Sequence, residues 1–213
     1  MYDAYSAKAP LKDGDCVTMK EELRKDFKYP KESSFGIITR ILDKPIYPNK
    51  GKVKTNLIEH EPLTIAVLFF VDDKDESKGI VEFYYNEARL KPVDRDTCCD
   101  PSLYDRLCAK RKEFLSRDRP FVPGDLVMWK PGLSNKLRPE ENGVGVVVDV
   151  VSEPHFNYTE QITHEDSLFY EPLDLIVGTL SRDGDLITFS YDSRRFMHAP
   201  KEIVDEAMKQ LTN

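Results

Sequence analysis

Two imidazoles and two carboxylates fall near one another along the chain, at His155, His164, Glu165 and Asp166. Imidazole nitrogens and carboxylate oxygens are common zinc ligands. A charged, solvated loop has the same composition, so these residues are not assigned to a metal. The chain has no CxxC pair, and four histidines are a small supply for acid–base chemistry. No GxSxG, HExxH, phosphate loop or dinucleotide fingerprint occurs in the sequence. The expectation is therefore a protein that is not an enzyme, with no catalytic residue, no metal and no cofactor.

Two lysine-rich stretches suggest a different chemistry. Lys25, Lys28, Lys31, Lys50, Lys52 and Lys54 are interleaved with Tyr29 and Tyr47. Such a set could neutralise phosphates with ammonium groups and stack bases on phenol rings. Acidic residues interrupt the first stretch, and the whole chain carries -7 at a pI near 5.2. Solvated loops are the plainer reading. Nucleic-acid association through Lys25, Lys28, Tyr29, Lys50, Lys52 and Lys54 stays as the alternative function. The charge is unevenly placed: residues 1–93 carry 16 basic and 16 acidic side chains, residues 121–213 carry 8 and 16. The second half therefore repels polyanions.

A third group of residues points to protein partners. Phe156, Tyr158, Phe169 and Tyr170 make one long connection unusually aromatic, so it either folds back on its domain or meets a partner. Trp129, the single tryptophan, sits on a strand. It reads as core, or, beside a groove, as an anchor for a partner. In the turn "YDSRRF" at 191–196, Asp192 and Ser193 shape the backbone. Arg194 or Arg195 could pair with an acidic partner such as Asp125 or Asp174; Arg195, like Arg89 in "YNEARL", reads as a structural arginine pinning the turn, and Arg194 as a ligand contact.

The elements that would position these residues are written twice. Gly14-Asp15 matches Gly124-Asp125, then Val17 matches Val127, Lys20 matches Lys130 and Leu23 matches Leu133. Pro30 meets Pro139, Gly36 meets Gly145, and "EPL" recurs at 61 and 171. Phe83, Tyr85, Arg89 and Leu90 then meet Phe189, Tyr191, Arg195 and Phe196. Matches that keep their order, with gaps only in loops, mean an internal duplication. Each copy reads as five short strands: 15–20, 35–42, 61–70, 80–85 and a stub near 90, then 125–130, 144–151, 171–180, 186–191 and a stub near 196. Residues 43–60 and 152–169 read as long loops, where unrecognised strands are the other reading. Asp183-Gly184 signals a tight hairpin. A helix follows each copy. Asp100 caps the first, with Leu103, Tyr104, Leu107, Cys108, Phe114 and Leu115 at helical spacing, and Pro200 opens the second.

This strand order, with its "GD-x-V" openings, resembles the SH3-like small barrel, including KOW-type barrels and the barrel of the nitrile hydratase β subunit. "GDLVMWKPGL", "EPLD" and "DSRRF" also resemble small proteins of bacteria and their phages. The resemblance spans residues 11–93 and 121–198 and implies an architecture, with no activity attached. The expected fold is mainly β: a first barrel at 1–93, a helical linker at 94–120, a second barrel at 121–198 and a C-terminal helix at 199–213. The helices are expected to plug an open barrel end or the seam between copies.

No stretch approaches 18 apolar residues, and the N-terminus lacks the pattern of a signal peptide. Four cysteines without a framework read as thiols. These features place the chain in the cytoplasm. The function expected is an interaction scaffold for a protein partner, with oligomeric state left open and Trp129, Arg194, Phe156, Tyr158, Phe169 and Tyr170 as contact residues.

Overall fold

The computed structural model describes residues 10–24, 34–47, 62–74, 79–96, 98–156, 171–181 and 183–211. The strands β1 (Cys16–Met19), β2 (Gly36–Ile46), β3 (Leu63–Phe70), β4 (Ile80–Tyr85) and β5 (Leu90–Pro92) form one antiparallel sheet in the order β4-β3-β2-β1-β5. Helix α1 (Pro101–Leu115) follows. A second sheet comprises β6 (Leu126–Trp129), β7 (Gly145–Phe156), β8 (Pro172–Leu180), β9 (Leu186–Tyr191) and β10 (Phe196–His198). Its order, β9-β8-β7-β6-β10, is that of the first. Helix α2 (Lys201–Leu211) comes last.

The likeness of the two sheets extends to single hydrogen bonds. Gly14 N donates to Ile38 O at 3.0 Å, and Gly124 N to Val147 O at 2.8 Å. Both glycines turn at positive φ, 87° and 92°, where a side chain is strained. Lys20 N donates to Arg89 O at 2.8 Å, and Lys130 N to Arg195 O at 2.9 Å. β2 and β7 carry register shifts at matching places, Ile38/Arg40 and Val147/Asp149. Gly36 and Gly145 open these strands where no Cβ fits, since one would lie 2.4 Å from the Phe69 ring or from Val177 Cγ1.

Among the described residues neither sheet closes into a barrel, because the end strands do not pair. β5 and β10 have three residues each, and their ladders go to β1 and β6. Leu90 of β5 joins Phe83 and Tyr85 of β4 in one cluster with Val17, Ile38 and Val67, the inner face of the sheet. Phe121, Val127, Trp129, Val177, Tyr191 and Phe196 form the same core in the second repeat.

The first sheet buries its outer face as well. Cys16, Ile37, Leu68, Phe70 and Ile80 point away from the inner core and pack under Leu103, Leu107 and Phe114 of α1. Asp100 caps this helix by accepting from Leu103 N at 3.0 Å, and Pro101 takes the first turn, as their positions predict. The helix thus covers a sheet face, whereas the sequence reading had it plug a barrel end or the seam between copies. It also reaches the seam. Leu133, from the second repeat, lies fully buried in the same cluster, so residues 94–120 do more than link.

Candidate functional site

The seam between repeats is built by the turn the sequence singled out. Asp192 shapes it by accepting from Arg194 N at 3.0 Å, and a 3-10 turn runs from Ser193 to Arg195. Arg195 is buried and donates to Glu171 Oε1 and, at 3.0 Å, to Leu133 O. Its partner is Glu171, the glutamate of the second "EPL", rather than Asp125 or Asp174. Arg89 has the same task in the first repeat, donating to Leu23 O at 2.9 Å.

Arg194 reaches across to the first repeat. Its guanidinium donates to Glu82 Oε1 at 2.9 Å and Oε2 at 2.6 Å, and to Asp192 Oδ2 at 2.6 Å. The side chains of Glu82 and Asp192 are each 1% exposed and that of Arg194 16%. Burial works against the Arg194 charge, but the two carboxylates outweigh it and hold its pKa well above the ordinary value. The ring of Phe114 lies 4.5 Å from the guanidinium carbon. Arg194 is thus occupied inside the protein, which leaves little of it for an outside ligand. The signal for Glu82 was one charged residue inside the apolar run "IVEFYY".

Beside this bridge the second repeat grips the end of α1. Lys130 Nζ donates to the carbonyls of Glu113 at 2.8 Å, Phe114 at 3.0 Å and Ser116 at 2.6 Å. All three ammonium hydrogens are used on carbonyls at the C-terminal end of the helix, of which Glu113 O also accepts from Ser116 N at 3.2 Å. Burial, with Arg117 close by, pulls the Lys130 pKa down to about 8. Arg117, two residues beyond the helix, donates to Ser193 Oγ. Ser193 Oγ in turn donates to Asp174 Oδ2 at 2.6 Å.

Trp129 is 1% exposed and stacked on Phe196, with its Nε1 donating to Pro139 O at 2.8 Å. It is a core residue and offers no surface to a partner. Phe156 closes β7, and nothing is described of its side chain. Tyr158, Phe169 and Tyr170 lie outside the described residues, as do Lys25, Lys28, Tyr29, Lys50, Lys52, Lys54 and His164. Among the described residues no group of three or more His, Cys, Asp or Glu is placed to hold a metal ion. No helix among them is long and apolar enough to cross a membrane.

One surface was not legible as a site. Register places Leu126, Val146, Gly178, Leu180 and Leu186 of the second sheet where Cys16, Ile37, Leu68, Phe70 and Ile80 lie in the first. In the first sheet this face lies under α1. In the second, Leu186 is 58% exposed, Leu180 43%, Leu126 37%, and neighbouring Val148 41%. Each exposed residue had read as an ordinary strand position, since only the repeat comparison says that this face should be covered. No protein-family model, no curated protein and no solved structure matches this chain.

Proposed function

We propose that this chain is a non-enzymatic interaction scaffold made of two SH3-like units, acting in the cytoplasm on a protein partner. The observation that carries the reading is the open apolar face of the second sheet, at the positions α1 covers in the first. Apolar residues clustered on a folded surface mark interaction sites more often than residues scattered singly. The first repeat indicates what such a face takes: an amphipathic helix laying leucines and a phenylalanine across it. The Glu82–Arg194 bridge and the buried Leu133 support a fixed geometry for the two units, so a partner would meet one preformed surface.

Affinity capture from lysate with the intact chain tests this, run with and without nuclease at low and high salt, beside the double variant Leu180→Glu/Leu186→Glu. The expected result is a protein band that survives nuclease and salt and is lost with the variant. Nucleic acid recovered instead, and released by salt, would overturn the reading.

A further inference from the structure

The groove that holds the end of α1 exists twice and, among the described residues, is filled once. In the second repeat, Lys130, Ser193 and Arg194 contact residues 113–117. Their counterparts in the first repeat are Lys20, Glu87 and Ala88. These three, with Thr64, Leu90 and Pro10, line a cavity of about 420 Å³. The framework around it is the same. Asn86 Oδ1 accepts from Ala88 N at 2.9 Å, as Asp192 does from Arg194 N. Thr64 Oγ1 accepts from Glu87 N at 3.1 Å, as Asp174 Oδ1 does from Ser193 N at 2.7 Å.

Lys20 Nζ donates to Ala88 O at 2.6 Å, one acceptor where Lys130 has three. An ammonium has three hydrogens to give. Where Ser193 accepts from Arg117, the first repeat holds a carboxylate, Glu87, which accepts from Leu11 N at 3.3 Å. The groove therefore offers a cation for helix-end carbonyls and an anion for a basic side chain, at the positions where the second repeat binds those two groups.

We infer that the end groove of the first repeat docks the C-terminal turn of a partner's helix whose chain continues with a basic residue. This rests on reading the chain as a protein-binding scaffold. Charge complementarity selects the occupant: Lys20 faces the negative end of the helix dipole, and Glu87 faces the arginine or lysine beyond it. A second copy of this chain would have to release its own α1 end from Lys130 to serve.

The test titrates the full chain into a labelled peptide of residues 106–119 with Cys108→Ser, followed by fluorescence anisotropy at low salt. Saturable binding is expected, weakened about tenfold or more by Lys20→Met, the scale of one charge-assisted hydrogen bond. A peptide with Arg117→Glu should fail on the native chain and recover on Glu87→Lys. No binding overturns the inference. So does binding that responds to Lys130→Met and not to Lys20→Met, since the peptide would then be displacing α1. Binding that emerges only when residues 1–9 are removed also overturns it, because the chain would fill its own groove. The Leu180→Glu/Leu186→Glu variant should bind the peptide normally. A chain that captures protein through the second sheet but binds no peptide refutes this inference and leaves the scaffold reading standing.

Discussion

Replacing Arg194 by methionine keeps the length of the side chain and removes its charge and its five N–H groups. Two carboxylates that are each 1% exposed, Glu82 and Asp192, would then face each other without a counter-charge. Glu82 keeps the Thr39 hydroxyl, and Asp192 keeps the Arg194 amide. Breaking a buried pair by removing one partner costs about 3–5 kcal/mol, because the remaining charge cannot return to water. For a chain of this size that corresponds to a fall in Tm of about 6–20 °C. Arg194→Lys should lie between, since a lysine restores the charge and loses the fork that meets both carboxylates. Glu82→Gln in the Arg194→Met background should recover part of the loss, with a coupling of about 0.5–3 kcal/mol. Thermal and urea unfolding followed by circular dichroism and Trp129 fluorescence supply the numbers. An Arg194→Met protein within about 1 kcal/mol of wild type would refute the reasoning, because a desolvated pair cannot be broken that cheaply.

Leu133 of the second repeat sits fully buried in the core beneath α1. Leu133→Ala should cost about 2–5 kcal/mol by urea denaturation, and its probes should report loosening of the first repeat as well as the second. Lys130 titrates near 8 in the folded chain against an ordinary 10.5, because burial disfavours its charged form. Between those values the unfolded chain holds the proton and the folded chain does not, so the contribution of this group to stability rises with pH across that window. The stability of wild type relative to Lys130→Met should accordingly rise between pH 8 and 10. A flat or falling difference would refute the dominance of burial over the three carbonyl bonds in setting that pKa.

The likeness of the two sheets was legible because it is fixed by residues that the backbone requires. Gly14 and Gly124 turn at positive φ, and Gly36 and Gly145 leave no room for a Cβ. Arg89 and Arg195 each tie a turn to a carbonyl of the other end of their repeat. Helix α1 was equally readable from its cap and its apolar spacing. The far ends of β2 and β7 were not. "DKPI" and "SEPHF" contain proline and charge and read as loop, yet β2 runs to Ile46 and β7 to Phe156. In both, the proline falls inside a register shift, Ile41/Ile46 or Val150/His155, where a missing N–H costs no ladder bond. The pairing of Arg194 was also hidden. Its lack of a counterpart, Ala88 standing in the other copy, marked it as special. One of its two acidic partners, Glu82, lies in the other repeat, and no local pattern states how two repeats dock.

Photo-crosslinking from the second sheet tests the scaffold reading most directly. Benzoylphenylalanine placed at Leu186, 58% exposed on the open face, would be irradiated in intact cells beside the same group at exposed Leu137, which belongs to no strand. The scaffold account predicts a discrete, nuclease-resistant protein adduct from position 186 and none from position 137. Equal labelling from both positions, no adduct at 186, or an adduct that nuclease removes would contradict it.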